Sequence, residues 1–236
     1  MRTSLIGLAL LALLLSGCTD SSDDAPSADP SELAERLSTA RAAIDDAESL
    51  EVSLATDELP QGVTGLLSAK GRGNHDPAFE GEVTVAAGGT NLDADVISVD
   101  DDLYVKTGFS PTFMTFDPDT LGAPDPASLL RTDDGVSQIL QETDDLAEDG
   151  QSRDGEEVLT TITGTLPGSV IASVLPTADE TGTFQVRYRL TDDDELRDAS
   201  ISGPFYPDVA DVTYRLSLTA SDQPVEIEAP ARVGGS

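Results

Sequence analysis

Cys18 is the only thiol in a chain of 236 residues, and it stands directly behind Leu15-Ser16-Gly17. A lone cysteine cannot close a disulfide within its own chain. What it offers is a sulfur nucleophile at the junction between an apolar run, Leu5 to Leu15, and an acidic string that begins at Asp20. A second candidate for chemistry is His75, the only histidine, set beside Asp76 and Pro77. A Ser-His-Asp hydrolase would have to use it, yet no G-x-S-x-G turn accompanies it, so it reads as an exposed turn residue. The third is DLAEDGQSRDGE, residues 145–156, where Asp149, Gly150 and Glu156 take positions five, six and twelve of a calcium loop. Ala147 stands at position three with no oxygen to offer, and chance accounts for the match. With one cysteine and one histidine, thiolate-imidazole metal clusters are excluded. No catalytic residue, metal or cofactor is expected.

Leu15-Ser16-Gly17-Cys18 matches the bacterial lipobox, a leucine and two small residues ahead of the cysteine. The preceding apolar run would cover only about half of a ~30 Å hydrocarbon core as a helix, too little for a stable span. With Arg2 in front of it, the layout is that of a secretory signal. The expectation is that residues 1–17 are a signal peptide and that Cys18 carries a diacylglycerol thioether, with a fatty acyl group such as palmitate on the freed amine. Two or three chains hold stably where one holds marginally. Residues 18–30 would then be the lipidated cysteine and a disordered acidic tether reaching at most ~40 Å, and residues 31–236 a single domain. The body would lie outside the cytoplasm, attached to the cell membrane by its lipid anchor.

Composition narrows the partners. Against 45 Asp and Glu stand 13 Lys and Arg, a formal charge of −32. Nucleic acid and anionic head groups are both repelled by such a surface. There is no tryptophan, and aromatic residues make up 4% of the chain, so stacking on bases or sugars is poorly supplied.

The elements that would have to position any site are legible from periodicity. Asp29, Pro30 and Glu32 open a helix as N-cap, first and third residues, and Leu33, Leu37, Ala40, Ile44 and Ala47 follow on one face. Period-two segments then predict a run of strands: LEVSLATD, the pair GLLSAKGRG and EGEVTVAAG around Asn74-His75-Asp76-Pro77, and a pair turning at Asp100 to Asp102. FSPTFMTFDPDTLGAPDPASLLRTDDGVSQIL reads as loop and one or two short helices. EEVLTTITGTL, the brief helix GSVIASVL, and three alternating segments up to Ser221 complete the chain. The predicted fold is α+β: an antiparallel sheet of seven to ten strands with helices on one face.

Small side chains on the predicted inner face, Val83, Val85, Leu92 and Val96, suggest that a curved sheet is hard to fill and leaves an apolar hollow. Its expected lining also takes Leu33, Leu37 and Ile44 from the helix, Leu54 from the first strand, and Phe184, Val186, Tyr214 and Leu216 from the last strands. Ordinary close packing would instead leave no hollow. The phenylalanine-rich FSPTFMTF places Phe109, Phe113, Met114 and Phe116 as a candidate mouth or lid, or as a plug of the core.

Taken together, LSGC, VDDDLYVKT, FDPDTLGAPDPASLLRTDDGVSQIL, ITGTLPGSVIASVLP, SGPFYPDVADVTYRL and PVEIEAP resemble the LppX/LprAFG lipoproteins of mycobacteria and other actinobacteria across essentially the whole chain. The resemblance implies a LolA/LolB-like half-barrel: a curved antiparallel sheet wrapped round a helical layer, with an apolar cavity between them. It implies binding of an acylated lipid or lipoglycan and carriage across the cell envelope, with no catalytic residues; Cys18 is the one functional position it transfers. The sequence also leaves open a surface module that binds another protein, such as a membrane transporter.

Overall fold

The computed structural model of the chain describes residues 28–117 and 124–231. Its first element, α1 (Pro30–Asp45), is capped by Asp29, whose Oδ1 accepts the Ser31 N–H at 2.9 Å. Pro30 at the first position gives up an N–H that would have had no helical partner. Leu33, Leu37, Ala40 and Ile44 are buried along one face. Full burial of Leu33 and Leu37 stabilises the fold by roughly 1.5–3 kcal/mol each.

Eleven strands then form one antiparallel sheet. They are β1 (Ser49–Ala55), β2 (Gly65–Asn74), β3 (Ala78–Ala87), β4 (Thr90–Val99), β5 (Asp102–Thr107), β6 (Met114–Phe116), β7 (Asp144–Asp154), β8 (Glu157–Pro167), β9 (Thr183–Leu190), β10 (Leu196–Gly203) and β11 (Val212–Ser221). Their spatial order, 6-5-4-3-2-1-11-10-9-8-7, joins two meanders through the long-range pair β1–β11, with Leu54 opposite Leu216 and Val52 opposite Leu218. Two 3-10 turns, Ser128–Leu130 and Val136–Leu140, lie in the connection between the meanders, and α2 (Gly168–Val174) follows β8. The β4–β5 turn falls where the aspartate run predicts it, with Asp100 and Asp101 at φ of 55° and 63°.

Two expectations change. The sheet is larger than seven to ten strands, because β6 and β7 lie where a loop and a calcium-like motif were read. β7 is an outer-edge strand with Asp144, Asp145, Asp149 and Asp154 all exposed, so it carries none of the apolar alternation that marks a half-buried strand.

The helical layer covers one half of the sheet. Helix α1 touches β7, β11 and the second 3-10 turn, and α2 touches β8 and β9. Under this layer the inner face is aromatic and closed: Phe205 meets Phe184 and Tyr214 edge-on, with ring centroids 4.9 and 4.8 Å apart. The buried Tyr188 hydroxyl donates to Ile139 O at 2.9 Å. The Tyr214 hydroxyl donates to Leu66 O at 2.6 Å and lies 2.7 Å from that of Tyr206. In the other half, Phe79 lies across the glycines of its neighbours, where a Cβ at Gly71 or Gly81 would come within 2.5 or 2.8 Å of its Cζ. Their bare backbone lets the ring lie flat on the sheet.

Candidate functional site

Residues directly opposite in an antiparallel pair point to the same face. The register therefore decides which predicted lining residues meet. Leu54 stands opposite both Leu216 and Ala69, Ala69 opposite Val83, Val83 opposite Ala94, Val85 opposite Leu92, and Val96 opposite Gly81. On the other side Leu216 faces Ala199, Tyr214 faces Ile201, and Ile201 faces Val186. The sheet thus brings its predicted lining residues onto one continuous apolar face, and Leu33, Leu37 and Ile44 belong to the same hydrophobic core.

Burial divides this face in two. Leu33, Leu37, Ile44, Phe184, Val186, Tyr214 and Leu216 are between 0% and 4% exposed. Their surfaces meet protein on every side, so among themselves they leave no space as wide as an alkyl chain. On the β1–β4 side, Val96 is buried, Leu54, Val83 and Val85 are half-buried, and Leu92 is 41% exposed. The half-buried neighbours Leu66, Ala69, Ala94 and Val105 complete this strip. Leu66 and Ala69 escaped the sequence reading because Leu66-Leu67 breaks the alternation, and the register shifts between Leu66 and Ser68. The adjacent leucine pair was the available signal for that bulge.

The four residues of the predicted mouth do not act as one cluster. Phe109, in the β5–β6 turn, is 90% exposed, and Met114 is 44% exposed at the start of β6. Phe116 is half-buried opposite Leu103. Phe113 is half-buried with Lys106 Nζ 5.6 Å from its ring centroid, and Lys106 itself pairs with Asp95 at 2.7 Å. Phe113 borders a groove of about 690 Å³ floored by the backbone of Gly71 and Gly81 and walled by Glu51, Lys70, Arg72 and Glu82. A second pocket, about 330 Å³, lies between α1, the second 3-10 turn and β7, with Arg41, Asp45 and Gln141 in its wall. Neither has the lining of an acyl chamber. The apolar opening is the uncovered strip itself.

His75 is not the exposed turn residue that its neighbours suggest. It is half-buried, with Nδ1 2.6 Å from Leu130 O and Nε2 2.9 Å from Ile44 O. It ties the β2–β3 turn to the end of α1 and to the first 3-10 turn, with both nitrogens committed to backbone. The calcium-like segment forms β7 and its turn into β8, and its Asp149 pairs with Arg187. Among the described residues no three His, Cys, Asp or Glu side chains converge as a metal site. No helix among them is long and apolar enough to cross a membrane. Leu15, Ser16, Gly17 and Cys18 lie outside the described residues.

The sequence profile of the LppX_LprAFG lipoprotein family matches residues 29–227. In structure the chain is similar to LprF from Mycobacterium bovis, with a TM-score of 0.70 at 16% identity over 87% of this chain and 99% of that one. It is also similar to the lipoprotein LppX of Mycobacterium tuberculosis, with a TM-score of 0.58 at 18% identity over 85% and 100% of the two chains. Comparison by sequence with curated proteins finds no match.

Proposed function

The chain belongs to the LppX_LprAFG lipoprotein family, and from that premise we propose that it holds the acyl chains of a lipid or lipoglycan against the open part of its inner sheet face and helps carry that lipid across the cell envelope. In this reading Cys18 anchors the protein to the membrane, residues 18–30 are its tether, and residues 31–236 are the carrier domain, with no catalytic step. One observation carries the reading: the apolar face is continuous across the sheet, yet α1 and α2 pack chiefly on β7–β11 and leave Leu54, Val83, Val85 and Leu92 half-buried or exposed. Each methylene taken out of water contributes about 0.8 kcal/mol, so a long chain shielded on both sides would gain on the order of ten kcal/mol. A half-open strip delivers part of that, enough to hold a lipid and still release it. Hydrocarbon has no polar groups to match, which is why no convergent polar constellation is needed.

The test is solvent extraction and native mass spectrometry of the full chain purified from a lipid-making actinobacterial host. Acyl lipid should be recovered from the native protein and be at least tenfold depleted in the Val83→Asp and Val85→Asp variants. These positions are half-buried, so both variants should still fold, as checked by circular dichroism. A native protein that comes out free of lipid, and takes up none from mixed micelles, would overturn the proposal.

A further inference from the structure

The meander β1–β6 has two ends of opposite character. Its strands alternate in direction, so the β1–β2, β3–β4 and β5–β6 connections share one end, and the β2–β3 and β4–β5 turns share the other with the exit from β6. The second end is acidic, with Asp76, then Asp100, Asp101 and Asp102, then Asp117. At the first end the β3–β4 and β5–β6 tips, residues 83–92 and 107–116, hold no Asp or Glu, although the chain has 45 of them in 236 residues, while the β1–β2 connection beside them carries the exposed Asp57 and Glu58. Among the described residues, the large hydrophobic side chains that stand exposed are Leu92, Phe109 and Met114. All three are at that end: Leu92 two residues into β4, Phe109 in the β5–β6 turn, and Met114 opening β6. Leu92 also terminates the apolar strip, opposite Val85.

We propose that the acid-free rim formed by the β3–β4 and β5–β6 tips is the protein's docking surface for a lipid bilayer, through which the strip exchanges hydrocarbon with the membrane. The inference rests on the lipid-carrying reading and adds the orientation in which the carrier works. An anionic body is repelled by anionic head groups, so it approaches lipid most readily where its surface carries fewest acids and most exposed apolar side chains. β3 spans 10 residues, which at ~3.3 Å per residue separates the two ends by ~33 Å, several times the ~8 Å Debye length at physiological salt. The acids of the far end are therefore screened from whatever the near end touches. Phenylalanine, methionine and leucine are side chains that enter the acyl boundary of a bilayer. The rim belongs to the strands whose inner face is open, so a chain sliding off the strip would pass directly into the bilayer.

The absence of tryptophan from the chain makes the test clean. Phe109→Trp and, at the far end, Asp222→Trp are each prepared in the full anchored chain and reconstituted into phosphatidylcholine vesicles with brominated acyl chains. Both positions are exposed, so both variants should fold. The tryptophan at position 109 should shift its emission to the blue and be quenched severalfold, while that at position 222 emits as in water. Position 109 unquenched, or both positions quenched alike, would overturn the docking surface. A further variant, Phe109→Asp, should slow delivery of extracted lipid to acceptor vesicles by about tenfold while leaving the amount bound unchanged; an unchanged rate counts against the proposal. Quenching at position 109 alone in a protein that carries no lipid would leave the docking surface standing and refute the carrier reading. Recovered lipid without quenching would do the reverse.

Discussion

Tyr188 and Tyr214 are the side chains in which burial has the clearest consequence in solution. Burial pushes the hydroxyl of each well above the ordinary tyrosine range, and the neighbouring Tyr206 hydroxyl adds to the rise at Tyr214. A raised folded value means that the native state holds the neutral phenol more tightly than the unfolded chain does. That contribution is complete below the unfolded value near ~10 and is lost as pH rises beyond it. Urea midpoints should therefore be level from pH 8 to about 10 and fall above that. Tyr188→Phe should lower stability by roughly 1–3 kcal/mol at pH 8, since it removes the hydroxyl that donates to Ile139 O and meets Thr143 Oγ1. Its alkaline decline should also be shallower. A native midpoint unchanged at pH 11 would refute this account.

At the scale of elements, β7 poses the problem of an open sheet. An unpaired edge invites another strand, and this one is eleven residues long. Its exposed carboxylates are the guard. Replacing the exposed Asp144, Asp145 and Asp154 with Asn should move stability by no more than about 0.5 kcal/mol per site, as surface changes do. The same triple variant should form oligomers that light scattering detects at concentrations where the native chain stays monodisperse; equal monodispersity would show that the charges guard nothing. The strand was hidden in the sequence because an edge strand of this kind has no apolar face to announce it. Helix α1, by contrast, was legible from its Asp29-Pro30 start and its Leu33-Leu37-Ile44 spacing, and β9 from the strict alternation of Phe184, Val186, Tyr188 and Leu190. Periodicity could show that Val83 and Val186 each sit on an apolar face. It could not show that helices bury one and leave the other half open. That depends on where α1 and the β6–β7 connection come to lie, and no local pattern specifies those long-range contacts.

For the molecule as a whole, the charge of −32 sets the balance between compaction and self-repulsion. Local partners hold a few carboxyls below the usual range: Arg215 beside Asp57, Ser31 on Asp29, and Thr181 on Asp179. Most of the remaining acids repel one another across the surface of a body that is more compact than the unfolded chain. Surface ion pairs such as Arg187–Asp149 and Arg215–Asp57 oppose this, but exposed pairs contribute only about 0–1 kcal/mol each. Salt weakens both effects as the Debye length falls from ~30 Å at 0.01 M to ~3 Å at 1 M. The repulsion acts over longer distances and involves far more charges, so its loss should dominate. The urea midpoint should rise steadily from 0.01 to 1 M sodium chloride, and an equal ionic strength of potassium chloride should give the same rise, since screening does not distinguish the cations. A flat or falling midpoint would mean that the ion pairs outweigh the repulsion. In that case the acidic surface would be held together by its few cations, and the acid-free tips of the β3–β4 and β5–β6 hairpins would lose the electrostatic ground for being the side that approaches lipid.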